Sequence, residues 1–138
     1  MDLKAFMLPS VTDETKDVII SKRFVDEKGE PLPFKIRQIS QEINEGLRKQ
    51  CVKPIKKNGT VIGEELDAVR FSRSLLVTCT LYPNFKATEL CEYYKTKDPT
   101  EVPSRMLSAG EYAKLSKEIQ DFNGFNDDID TLEEQAKN

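Results

Sequence analysis

KDVIISKRFVDEKGEPLPFKIRQIS, residues 16 to 40, decides whether this chain is purely helical. Val18, Ile20 and Phe24 recur on one side of an extended segment, with Lys22 interrupting them. Leu32, Phe34 and Ile36 alternate on the answering segment. Between the two lies Asp26-Glu27-Lys28-Gly29-Glu30-Pro31, a polar run with Gly and Pro, as a hairpin loop requires. The pattern predicts a β-hairpin. One apolar face meets the core, and Arg23, Lys35 and Arg37 face water.

Working outward, residues 1 to 8 read as a short helix with Leu3, Phe6 and Met7 on one side, and 9 to 16 as a loop. Ser40 caps a helix that carries Glu42 and Glu45 near its positive end and an apolar stripe of Ile43 and Leu47. Arg48 and Lys49 suit its last turn. Asn58-Gly59 is the strongest short hairpin signal in the chain. Its flanks, Val52 to Lys57 and Thr60 to Ile62, are short, and Pro54 demotes the first to an edge strand.

From about Glu64 to Tyr82 the spacing predicts the longest helix, apolar on more than one face and ended by Pro83. A short helix over Lys86 to Tyr94 follows, with Ala87, Leu90 and Tyr94 inward. Residues 95 to 103 read as a linker or a single helical turn. Ser108 and Glu111 have capping-box spacing. Tyr112, Leu115, Ile119 and Phe122 make a stripe that reads as core in preference to a partner groove. Gly124 supplies a left-handed stop with Phe125 folding back on Ile119. Asn126 starts a last helix whose inner side is Ile129, Leu132 and Ala136. The expectation is one α+β domain over 1–138: a small antiparallel sheet near the N-terminus packed on a mostly α-helical C-terminal half.

The chemistry is sparse. The chain of 138 residues has no histidine, which removes the usual base and the usual zinc ligand. Cys51, Cys79 and Cys91 are far apart and form no CxxC pair, so they read as buried or half-buried thiols. Neither GxxxxGK[ST] nor GxGxxG occurs. Asp127, Asp128 and Asp130 lack the glycine and glutamate of a calcium loop and coincide with a helix start. No catalytic residue, metal ligand or cofactor-binding residue is assigned, and no cofactor is expected.

A net charge of −3 argues against a general nucleic-acid binder, and no run of about 18 apolar residues is present for a membrane span. MDLKAFML does not read as a signal peptide. Between Glu45 and Glu64 there are no acids, while Arg48, Lys49, Lys53, Lys56 and Lys57 are basic; this reads as a solvated basic edge. From Glu111 onward acids dominate. Opposite charge in the two regions can steer head-to-tail association into a homo-oligomer, though merely soluble surfaces are the preferred reading.

Several of these residues also carry a likeness. Arg23-Phe24, Asp26, Gly29, Pro31, Phe34, Ile36-Arg37 and Ile39-Ser40 resemble the hairpin of the XkdN-like phage tail assembly chaperones of PBSX-like prophages and Gram-positive phages. Leu81-Tyr82-Pro83, Glu89-Leu90 and Tyr94 resemble the family's middle. Gly110-Glu111-Tyr112, Leu115, Asn123-Gly124-Phe125 and Glu134-Gln135-Ala136-Lys137-Asn138 resemble its C-terminal signature. Phe34, Ala109 and Lys95 depart from it, standing where Trp, Pro and Gly are common.

The resemblance implies a non-enzymatic protein of the host cytoplasm that keeps the tape measure protein soluble during tail morphogenesis and is absent from the finished particle. It implies the tail tube protein and a frameshifted longer form of the chain as further partners, while charge and hydropathy point to no nucleic acid and no membrane. The partner-binding surface is open, with the hairpin edge and a gap between C-terminal helices as candidates. Competing readings are a structural tail or adaptor component and a small nucleic-acid-binding regulator using residues 48 to 57.

Overall fold

The computed structural model describes residues 2–125. Strands β1 (Thr15–Val18) and β2 (Phe34–Arg37) pair antiparallel, Thr15 opposite Arg37 and Val18 opposite Phe34. The alternation works as expected: Phe34 and Ile36 are buried and Lys35 is exposed between them. The arm between the strands narrows to a second, tighter turn. Val25 bridges Pro31, Asp26 N–H donates to the Glu30 carbonyl at 2.8 Å, and Leu32 N–H to the Phe24 carbonyl at 2.8 Å. Gly29 takes the left-handed φ of 81° that this turn demands.

Helix α1 (Gln41–Gln50) begins where Ser40 accepts the Ile43 N–H at 3.2 Å, and ends on Arg48 and Lys49. Ser40→Ala is expected to cost about 1 kcal/mol, read as a lower urea midpoint. An unchanged midpoint would show that the cap contributes nothing. Strands β3 (Val52–Lys57) and β4 (Thr60–Leu66) form a separate two-stranded ribbon, turned by Asn58 and Gly59 at φ 52° and 80°. Beyond the ribbon come α2 (Ala68–Cys79), β5 (Thr80–Tyr82), α3 (Thr88–Tyr93), α4 (Val102–Met106) and α5 (Ala109–Phe122). β5 completes a three-stranded sheet of order β1-β2-β5, antiparallel throughout. The class is α+β.

Five boundaries differ from the sequence reading. β1 begins at Thr15, inside the stretch expected to be a loop, and stops at Val18, so Ile20 and Phe24 lie in the arm beyond it. Glu64 to Leu66 are not helical; they finish β4 opposite Pro54 to Val52. Asp67 then caps α2, accepting the Arg70 N–H at 3.2 Å. Thr80 to Tyr82 leave the helix to pair with β2, so α2 stops at Cys79 and Pro83 does not end it. Among the described residues α5, with 14, is therefore the longest helix. Residues 95 to 103 hold a 3-10 turn (Pro99–Glu101) and the start of α4, where prolines are tolerated in a first turn. Near the N-terminus, Leu3–Phe6 and Val11–Asp13 are 3-10 turns, and Leu3, Phe6 and Met7 are exposed, not packed. The last helix read from Asn126, with Ile129, Leu132 and Ala136, lies outside the described residues.

The core lies between sheet and helices. Ile20, Phe34 and Ile36 meet Leu76 and Cys79 of α2, Val102 and Met106 of α4, and Leu115 and Ile119 of α5. Leu115 and Ile119, together with half-buried Tyr112 and Phe122, make the predicted stripe, and its role is core. Each fully buried aliphatic side chain contributes roughly 1.5–3 kcal/mol. The capping box at Ser108 and Glu111 is complete, with bonds of 3.1 and 2.8 Å. At the far end Gly124 adopts φ 76°; its N–H donates to the Asp121 carbonyl and that of Phe125 to the Gln120 carbonyl, the two bonds of a Schellman stop. Phe125 nevertheless stays 48% exposed.

Candidate partner-binding surface

Two tertiary clamps hold α5 against the sheet. At its start, Glu111 receives Arg23 in a fork: Nη2 to Oε1 at 2.7 Å and Nε to Oε2 at 3.2 Å. The same Arg23 Nη2 donates to the Met106 carbonyl at 2.8 Å, and its guanidinium lies 4.7 Å from the Phe24 ring centre. Arg23, expected on the wet face, is thus the bolt between the hairpin arm and α5. The Arg23 bonds, then the Ser21 hydroxyl and the Ser108 N–H, hold the Glu111 carboxyl well below the usual carboxylate range. At the end of α5, the Asn123 side chain accepts the Ile39 N–H at 2.9 Å and donates to the Arg37 carbonyl at 3.2 Å.

With α5 fixed this way, an open groove of about 660 Å³ runs between it, α2 and α4. Val69, Leu107 and Tyr112 give it apolar walls, Ala68, Ser72 and Ala109 a shallow floor, and Arg73 a positive edge. Val69 is 65% exposed although it begins a helix otherwise directed at the core. Burial raises the Tyr112 phenol above its ordinary pKa, and the Arg73 charge opposes that shift, placing the guanidinium within electrostatic reach of the ring. A separate small cavity of about 20 Å³ lies between Ser72, Leu75 and Leu76 of α2 and Ser116, Ile119 and Gln120 of α5. The groove lies between the helix expected to be central and the C-terminal α4 and α5, and is not a gap between C-terminal helices alone. The hairpin candidate also has a counterpart: a pocket of about 270 Å³ walled by Phe24, Leu32, Phe34, Pro83 and Tyr94.

The basic residues are dispersed. Arg48 and Lys49 end α1, with the Arg48 guanidinium 5.6 Å from the Phe71 ring centre. Lys53, Lys56 and Lys57 lie on β3, all exposed. Pairing with β4 sets Lys53 opposite Glu65 and Pro54 opposite Glu64, so acids absent from the linear stretch reach it across the ribbon. The acids at 127, 128 and 130 lie outside the described residues. Cys51 and Cys79 are buried and Cys91 half-buried, all three free thiols. Burial pushes the Cys79 thiol up to about 12, against the opposing Arg37 charge. Among the described residues no group of three or more His, Cys, Asp and Glu is placed to hold a metal ion, and no helix is long and apolar enough to cross a membrane.

Sequence reasoning named neither Val69 as a groove wall nor Arg73 as its edge. Val69 stands among the apolar residues of the helix expected from about Glu64, yet it is exposed at the start of α2.

Comparison with known proteins places this architecture. Over 97% of its length the chain is 46% identical to "Uncharacterized protein YqbN" of Bacillus subtilis (strain 168), covering 92% of that protein. It is 42% identical, over 97% of the chain and 93% of the relative, to "Phage-like element PBSX protein XkdN" of the same strain. The crystal structure of the protein YqbN superposes with a TM-score of 0.76 at 39% identity, covering 91% of this chain and 98% of that one. The family described as "Phage XkdN-like tail assembly chaperone protein, TAC" matches residues 3–137, and the chain belongs to that family of phage tail assembly chaperones.

Proposed function

We propose that residues 1–138 act as one unit that holds the tape measure protein soluble in the bacterial host cytoplasm while the tail is built, and that it leaves before the particle is complete. The work is non-catalytic: apolar surface is covered reversibly, with no bond made or broken. The client is a long apolar helix, and it lies in the groove between α2 and α5. The observation that carries this reading is the groove itself, apolar on Val69, Leu107 and Tyr112 and open along its length. A helix presents its anchors at i, i+3 and i+7 to a slot of this kind. The chain's high content of charged residues, 33%, keeps the loaded complex in water. The tail tube protein and a frameshifted longer form of the chain are further partners on this reading.

Co-expression with the tape measure protein encoded in the same phage gene cluster tests the proposal. The client is expected in the soluble fraction, co-purifying with this chain. Val69→Glu adds a charge to the groove wall at an exposed site in the first turn of α2, where an acid suits the helix dipole. That variant is expected to fold and to lose the client. A client equally insoluble with and without the native chain sinks the proposal, and stoichiometric recovery of the chain in purified virions supports a structural adaptor in its place.

A further inference from the structure

A second hollow adjoins the groove. About 530 Å³ in volume, it shares Val69 and Arg73 with the groove and lies beyond that pair, between α2 and the Pro99–Glu101 turn. Its character is polar where the groove is apolar. Arg70 and Arg73 reach it from α2 and Lys97 from the segment before the turn, all three exposed. Among the described residues none of the three is in an ion pair. Two acids share the hollow, and both are occupied as caps. The Asp67 carboxylate accepts the Arg70 N–H at 3.2 Å, and the Asp98 carboxylate accepts the Thr100 N–H at 3.0 Å and its hydroxyl at 2.8 Å. Helix α2 has no use of its own for a cation here: Arg70 sits in its first turn, where the dipole disfavours positive charge. The opposite wall differs. Ser104, Ser108 and Ala109 line the α4–α5 side of the groove and carry no charge. Charge along the groove is therefore one-sided.

We infer that the groove takes an amphipathic helix whose apolar stripe is bordered by acidic residues on one flank alone, the carboxylates lying over Arg73 and reaching Arg70 and Lys97 in the adjoining hollow. The inference rests on the groove being the client site and adds which client it accepts. An apolar stripe by itself does not tell one helix from another. Cations along one side select by sign, because a basic flank would be repelled there. They also set direction. A helix turned end for end keeps its stripe in the groove but swaps its flanks, so its acids would face Ser104 and Ser108 and leave Arg73 unmatched. Such pairs weaken as salt rises, whereas apolar burial does not.

Two fluorescein-labelled, alanine-based helical peptides of about 16 residues test this on the full chain. Both carry leucines at i, i+3 and i+7; one has glutamates along one flank of that stripe, the other lysines at the same positions. Anisotropy is expected to show the glutamate peptide bound about tenfold tighter than the lysine peptide at about 0.05 M salt, with the difference shrinking at about 0.5 M. Arg70→Glu/Lys97→Glu changes two exposed residues and is expected to invert the preference. Arg70→Gln/Lys97→Gln is expected to reduce it to about twofold, through the remaining Arg73. Equal affinity for the two peptides, binding of neither, or a preference that both variants leave unchanged overturns the inference. So does a concentration-dependent dimer that Val69→Glu converts to monomer, because the occupant is then a second copy. If Val69→Glu abolishes capture of the tape measure protein while the peptides bind alike, the acidic flank falls alone. If capture survives Val69→Glu while the peptide preference holds and inverts as expected, the client site falls and the charge selectivity stands.

Discussion

Phe85→Ala is expected to lower the folding stability by about 3–5 kcal/mol, the largest single-residue loss foreseen here. Phe85 stands in the connection between β5 and α3, yet its side chain is fully buried in the shared core. Truncation leaves a ring-sized void in the shared core, which close packing around it closes only in part. The Phe85 carbonyl also accepts the half-buried Cys91 thiol at 3.5 Å, which ties the middle of α3 to the same spot. Phe85→Leu keeps part of the volume and is expected to lose less. Urea unfolding followed by circular dichroism measures both variants. A loss below about 1 kcal/mol for the alanine variant would show that the site is plastic and the ring dispensable.

Phe85 also marks where the sequence stops being readable. A lone aromatic between Pro83 and Lys86 has no period, so nothing local announces its burial. Local chemistry was legible wherever it is self-contained. The Ser40 cap, the Asn58-Gly59 turn, the Ser108–Glu111 box and the Gly124 stop each depend on atoms within a few residues. The hairpin of residues 16 to 40 was legible in its second strand, where Phe34 and Ile36 alternate, while its first strand is Thr15–Val18 and not the run from Val18 to Phe24. What failed depends on partners far along the chain. Thr80 to Tyr82 continue the apolar run of α2 without a break, and only β2, some 45 residues earlier, turns them into a strand. Glu64 to Leu66 likewise are strand because Val52 to Pro54 pair with them. The groove was invisible in detail, since its walls come from three helices and no one of them shows a pattern for it.

Glu111→Ala is the second large effect, a loss of about 2 kcal/mol at neutral pH. One carboxylate serves two purposes, closing the capping box on Ser108 and gripping Arg23 of the hairpin arm. Its side chain is only 11% exposed, whereas that of Arg23 is 54% exposed, so the water-facing half of the pair adds little further. Removing the acid releases the α5 N-terminus and leaves Arg23 with the Met106 carbonyl. Glu111→Gln keeps an acceptor for the Ser108 N–H and is expected to recover part of the loss.

The pH dependence follows from the depressed carboxyl. Its folded pKa lies below the unfolded value of about 4.3, so its contribution is fully present above that pH and is lost as pH falls toward the folded value. The stability gap between the native chain and Glu111→Ala is therefore expected to be wide at pH 7 and narrower at pH 3, measured as urea midpoints. An equal gap at both pH values would locate the stabilisation elsewhere.

Among the described residues no third strand pairs with the β3–β4 ribbon, and its outer backbone is an invitation to stitch molecules into endless sheet. The invitation is declined three times over. Pro54 offers no proton, the ladder slips between Ile55 and Lys56, and lysine ammonium groups at 53, 56 and 57 would be forced about 5 Å from their copies in any parallel seam. A tail assembly chaperone must not polymerise with its own kind along this edge, and the ribbon is where that refusal is written.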